Sequence, residues 1–448
     1  MKKPSLISIL YFSSGLCLVG GIIFTFYLYA PSSLPPIHAI TKQVDSPQIT
    51  DTPQKIDDNE SSPETLSKYI DSLVSKKDFT KLKDAGNKLL QSSNNDPKYI
   101  LQAFWAITLS TTKNSELKTI LDDFKTLTNG DFGTKEEGQY LSCLINSYEM
   151  QKDQVLKICG ALLNSKNEGI QIVAKKLVDQ TKVFSTFQDE SPDYLTAMYA
   201  KTFVDAKFYT LAKFKLEYLI QKNTKYRDAV GLLGITYYLL GDLIKSRDTL
   251  EQAYALDTSK PHIVYTLGKI QDELGDKTQA ISYYYLALQN GYPEKSEIRT
   301  RLASLLYQEK EITKSLKEYN TLLDDLPIAP PEAFIQPVYI YIKIQNDPLG
   351  AVAYAKRVRA LYPDNALSIN MLGWSYLENH QLDTAKTLFK LAITKKANYN
   401  APYFNLGQLY ELQNEKEKAK EMYKRSYQLD KSSEIGKQAI DRYNALNQ

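Results

Sequence analysis

The chain has 448 residues and 55 Lys and Arg against 52 Asp and Glu, a formal charge of +3. That length allows several globular domains or one long repeat array, and the near balance of charge excludes nucleic-acid binding by electrostatics alone. Three His and three Cys exclude a Cys/His zinc array and a disulfide-dense scaffold, while 33 Tyr with only 19 Gly point to helices rather than to a sandwich or barrel.

Lys2 and Lys3 precede an uncharged run whose core extends from Ser5 to Ala30. As a helix it spans roughly 39 Å, against about 30 Å of bilayer hydrocarbon. The apolar part of a cleaved signal is shorter, about 7–15 residues. Cleavage candidates are poor, since Ala30 is followed by Pro31, and Cys17 follows Leu16 rather than the small residue a lipidation site wants. Residues 1–30 are therefore read as a cytoplasmic tip and an uncleaved single-pass transmembrane anchor, with Tyr27 and Tyr29 at its far interface. The flank beyond it has no Lys or Arg before Lys42, so the N-terminus is expected in the cytoplasm and the bulk outside it. Residues 31–63 then hold six of the eighteen prolines, with acids outnumbering Lys42 and Lys55 and no apolar period. Such a stretch cannot offset its ordering entropy and is expected to be a disordered linker.

From Pro63 onward every periodic stretch is helical. Leu66, Tyr69, Ile70, Leu73 and Val74 mark one helical face, and Phe79, Leu82, Leu89 and Leu90 begin the next. Further helices are predicted at 97–112, 115–128, 135–150, 152–165 and 168–184, separated by turn signals such as Asn129-Gly130. Cys143 and Cys159 occupy mirror positions on two arms of one such hairpin. Two small buried thiols are the plainer expectation; a disulfide is the other reading if this part lies outside the cytoplasm.

Beyond residue 192 an internal repeat dominates. Leu233-Gly234 with Tyr237 recurs as Leu267-Gly268 after 34 residues, and Leu372-Gly373 with Tyr376 recurs as Leu406-Gly407 with Tyr410 after another 34. Ala280, Tyr284 and Ala287 match Ala385, Phe389 and Ala392, and then Ala419, Tyr423 and Ser426. Small residues let two helices approach closely, and the aromatic residues fill the gap to the next hairpin. This pattern resembles the tetratricopeptide repeat. The resemblance implies an all-α, right-handed α-solenoid of helical hairpins over 193–433, divided as 193–226, 227–260, 261–294, 296–329, 332–365, 366–399 and 400–433. In 332–365 Tyr339 stands where the glycine is expected, and a slip near Pro330-Pro331 predicts a local kink. Residues 64–192 are read as diverged hairpins of the same kind, and 434–448 as a capping helix.

No glycine-rich phosphate loop, G-x-S-x-G, H-E-x-x-H or C-x-x-C occurs, and His38, His262 and His380 are isolated. Asp122-Asp123 and Asp324-Asp325 end amphipathic helices and are expected to face solvent. No catalytic residue, cofactor or metal is expected, and nucleic acid is not expected as a partner. The resemblance implies instead a binding groove lined by the first helix of each hairpin. On this chain it takes in Lys201, Tyr238, Tyr265, Lys269, Arg301, Tyr307, Asn370, Trp374, Asn405 and Gln408, with Trp374 as a hot spot if exposed. The two-carboxylate clamp of chaperone-tail binders is absent: the windows offer Ala197 with Lys201, then Leu232, then His262 with Thr266, and a one-repeat shift matches only Arg301. The expected function is a membrane-anchored scaffold or adaptor for proteins or peptides, outside the cytoplasmic membrane in a bacterial envelope. The alternative is a cytosol-facing anchored receptor for protein targeting.

Overall fold

The computed structural model describes residues 62–76, 78–186, 192–325 and 329–447. The expected anchor, and the expected linker up to residue 61, lie outside them. Among the described residues all regular structure is helical, and no helix is long and apolar enough to cross a membrane. The chain forms two compact units that divide between Gly275 and Asp276, inside the expected repeat 261–294.

The first unit opens with α1 (Pro63–Ser75), α2 (Leu82–Ser92), α3 (Pro97–Leu109), α4 (Asn114–Thr128) and α5 (Glu136–Tyr148). Pro63 starts α1 rather than closing the linker: it is the first helical residue, and the Ser62 Oγ accepts the Thr65 N–H at 3.3 Å. Asp96 and Pro97 start α3 in the same way. The helix expected over 152–165 runs unbroken over 152–164 but changes winding on the way, α at Lys152–Gln154, π at Val155–Cys159 and 3-10 at Leu162–Asn164. The π-turn carries an extra residue and re-aims the side chains beyond it. Cys143 on α5 and Cys159 are fully buried and joined in a disulfide, with Cα atoms 5.2 Å apart, where two separate thiols were the plainer expectation.

The unit continues with α6 (Glu168–Thr186), α7 (Pro192–Asp205), α8 (Tyr209–Lys222), α9 (Arg227–Leu239), α10 (Leu243–Leu256) and α11 (Pro261–Leu274). These share a core with the earlier hairpins. The Trp105 indole N–H donates to the Lys207 carbonyl at 3.0 Å, and Phe208 packs on Phe104 and Tyr140 at centroid distances of 5.9 and 6.5 Å.

The second unit comprises α12 (Lys277–Gln289), α13 (Lys295–Gln308), α14 (Ile312–Leu322), a divided helix over 331–344, α15 (Pro348–Leu361), α16 (Ala366–Glu378), α17 (Leu382–Lys395), α18 (Asn400–Leu412), α19 (Lys416–Leu429) and α20 (Glu434–Ala445). The divided helix begins as a 3-10 turn and ends in a π-turn at Ile340–Ile344, where the Gln345 N–H reaches back five residues to Ile340. The extra residue shifts the register. Val338 is fully buried while Tyr339, expected in the glycine's place, is 42% exposed.

Close helix approach rests on glycine in both units. A Cβ on Gly234 would lie 2.5 Å from Leu250, one on Gly373 2.7 Å from the Phe389 ring, and one on Gly407 2.5 Å from the Tyr423 ring. Where Ser replaces Ala on the second helix, its hydroxyl finds the facing backbone: Ser246 Oγ donates to the Gly234 carbonyl and Ser315 Oγ to that of Ala303, both at 2.7 Å. One turn also joins hairpin after hairpin. Its left-handed residue is Lys207, Gly241, Gly275, Lys310, Asn346, His380 and Asn414 in succession, 34 to 36 residues apart. Met150 takes the same conformation in the α5 hairpin, with N–H bonds three and five residues back, from Met150 to Ser147 and from Gln151 to Asn146.

Candidate functional site

In the first unit the first helices α7, α9 and α11 bring Lys201, Tyr238, Tyr265 and Lys269 into one region. Lys201 is buried and paired with Asp205 one turn ahead; the other carboxylate oxygen of Asp205 takes Lys176 at 2.9 Å. Two ammonium groups thus share one carboxylate, leaving a net positive charge in a partly dry place. Burial lowers the Lys201 pKa and Asp205 opposes that shift. Burial, and next the Lys201 charge, push the His262 imidazole down to about 4. The Lys269 ammonium lies 4.9 Å from the Tyr238 ring centre and 5.5 Å from that of Tyr265. The Tyr238 hydroxyl is held by Glu273, one turn beyond Lys269.

In the second unit Asn370 on α16 and Asn405 on α18 are buried, with the Asn405 amide donating to the Asn370 Oδ1 at 3.0 Å. Trp374 is half-buried rather than exposed. Its ring packs against the cores on both sides of α16, and its indole N–H donates to Glu378 at 3.1 Å. The same carboxylate takes Lys343 of the divided helix at 2.7 Å. Ile335 and Tyr339, both 42% exposed, lie on that helix at four-residue steps before Lys343. Gln408 is half-buried on α18, Tyr307 packs against the core at α13, and Arg301 is exposed on α13.

Of the ten expected residues, the structure brings Lys201, Tyr238, Tyr265 and Lys269 together in the first unit and joins Asn370 to Asn405 in the second, where Trp374 and Tyr307 pack on one core. Five of them, Lys201, Tyr238, Tyr265, Asn370 and Asn405, are buried. Sequence reasoning missed the acidic partners. Asp205, Glu273 and Glu378 each stand four residues after Lys201, Lys269 and Trp374, a spacing that puts both side chains on one helical face. Asp325 is also corrected. It does not face solvent but takes the Arg299 Nε at 2.6 Å, beside the buried Glu318 on the same guanidinium. Asp122, Asp123 and Asp324 are exposed. Among the described residues no group of three His, Cys, Asp or Glu could hold a metal ion.

The family model of the tetratricopeptide repeat matches residues 261–290 and 401–433. No curated protein matches the sequence. Among solved structures, the C-terminal part of a repeat-containing protein of this type from Cytophaga hutchinsonii is 17% identical, with a TM-score of 0.44, over 55% of this chain and 98% of that one. A tetratricopeptide repeat protein from Parabacteroides merdae is 16% identical, with a TM-score of 0.37, over 56% and 98%. Yeast Tom70 is 16% identical, with a TM-score of 0.35, over 86% and 89%. The recurring left-handed turn and the glycine approaches at Gly234, Gly373 and Gly407 make the described residues an all-α array of helical hairpins, of which residues 261–290 and 401–433 match the tetratricopeptide repeat.

Proposed function

We propose that the chain is a non-catalytic scaffold that holds acidic stretches of partner polypeptides on the first helices of its repeats, anchored in a bacterial membrane through residues 5–30 and displayed outside the cytoplasm. The observation that carries the binding reading is the cluster of Lys201, Lys269, Tyr238 and Tyr265 on three successive first helices, where two lysines share one carboxylate and another cation rests on aromatic rings. A carboxylate arriving at the half-buried Lys269 neutralises excess charge there, while the buried Lys201, Tyr238 and Tyr265 fix the position of that charge from beneath. The sidedness reading is supported by Lys2 and Lys3 before the apolar run and by the Cys143–Cys159 bond, since disulfides persist in oxidising compartments. Residues 64–192 are read as diverged repeats, supported by the left-handed turn at Met150.

The test combines topology with contact. A C-terminal tag on the full chain should be digested by protease added to intact spheroplasts. A photo-crosslinking residue at position 269 should capture acidic peptides, whereas one at the exposed position 225 should not. Protection of the tag until lysis would place the repeats in the cytosol, as in the anchored-receptor alternative. Equal crosslinking at 269 and 225 would remove the groove assignment.

A further inference from the structure

The second helices of the last three repeats carry a charge pattern that the groove reading does not use. Lys356 on α15, Lys390 on α17 and Lys424 on α19 follow one another at 34-residue intervals, and all three are exposed. Recurrence at the repeat period puts them at equivalent exposed positions on successive second helices, one line of cations along this unit. Around them α15 carries three basic residues and no acidic one, α17 three against one, and α19 five against two. The first helices between them, α16 and α18, carry no Lys or Arg.

Three neighbouring cations are matched, Arg357 with Asp324 at 3.3 Å, Lys395 with Asp364 at 2.6 Å, and Lys420 with Glu417 at 3.1 Å, while Lys386 and Arg425 lie against the rings of Tyr410 and Tyr403. Lys356, Lys390 and Lys424 have no carboxylate within ion-pair distance among the described residues; Lys356 lies 5.8 Å from the centre of the Tyr376 ring. Like charges set at one spacing repel, and no ion pair within the fold offsets that repulsion for these three.

We propose that this line docks the second unit on an anionic phospholipid surface, with headgroup phosphates as its ligands. Lysine is a hydrated point charge on a flexible stem, suited to a diffuse layer of phosphates rather than to one shaped anion. The choice of a bilayer over a soluble polyanion rests on the anchor reading of residues 5–30, which would keep the whole chain at a membrane and so raise the local concentration of headgroups. The charge line itself stands without it.

The experiment uses the full chain reconstituted in phosphatidylcholine vesicles with or without phosphatidylglycerol, and reads lysine acylation by mass spectrometry. Lys356, Lys390 and Lys424 should become several-fold less reactive only when phosphatidylglycerol is present and should recover at high salt, while Lys225 of the first unit stays unchanged. Replacing one member, Lys390→Gln, should reduce docking about fivefold and return reactivity to the other two. Equal reactivity in both vesicles would overturn the proposal. So would protection that survives high salt, or equal protection by soluble polyphosphate without vesicles, which assigns the line to a soluble polyanion. Failure of the chain to float with neutral vesicles would defeat the anchor reading alone, because the phosphatidylglycerol comparison is still read.

Discussion

A single methyl group measures how tightly these helices meet. In Gly407→Ala the new carbon would stand 2.5 Å from the Tyr423 ring, which is fully buried and tied through its hydroxyl to Glu411 at 2.7 Å, so the ring has nowhere to swing. The expected cost is about 1–3 kcal/mol, seen as a lower urea midpoint at unchanged slope. Gly160→Ala is the matched control: nothing lies within 4 Å of the added carbon, and the change should be neutral or slightly stabilising. His262 supplies a second test at this scale. With its folded pKa down at about 4 and an unfolded value near the usual imidazole range, the unfolded chain binds a proton between these values while the folded one does not. Stability is therefore full above about pH 6.5 and falls as pH drops toward 4, by roughly 2 kcal/mol after allowance for solvent screening. Chemical denaturation against pH should show this slope, and His262→Gln should flatten it.

Among the elements, the helices that change winding show what a periodic reading sees and what it misses. Regular hairpins such as α16–α17 were legible because their apolar period and their small residues agree. The segments 152–164 and 331–344 also have apolar periods, yet each contains a π-turn. One inserted residue changes the register without leaving a turn signal: counted back from the left-handed Asn346, the extra residue in Ile340–Ile344 moves the glycine-equivalent place from Tyr339 to the buried Val338. The disulfide sits on the first of these π-turns, and its closure spans a sequence separation of 16. Loss of the bridge should destabilise the first unit by about 3 kcal/mol through the freed loop alone. Unfolding midpoints of the oxidised and reduced protein check this, with Cys143→Ala/Cys159→Ala expected to behave as the reduced form.

For the molecule as a whole, the ends of a repeat array decide its solubility. Ile435, Tyr443 and Leu446 lie against a core containing Phe404, Leu409 and Tyr423, and Ala439 is fully buried. Deleting 434–448 should uncover that surface, lower the unfolding midpoint and cause self-association visible by light scattering. Of the candidate site, the helices and the positions along them were legible, whereas the burial of Lys201, Asn370 and Asn405 was not, because it depends on which neighbours a hairpin brings over them. The Asn405–Asn370 bond joins residues 35 apart, a pairing that no local window reveals.

The absence of Lys and Arg from α16 and α18 has a practical side. Raising salt from 0.1 M to 1 M shortens electrostatic reach from about 10 Å to about 3 Å. Under the proposed function, a peptide gripped by Lys269 would wash away in brine, whereas anything held along α16 and α18 would meet no cation for the salt to screen. A column carrying this protein should therefore release acidic peptides at the salt step, and any polypeptide retained beyond it would have to be seated away from the lysine cluster.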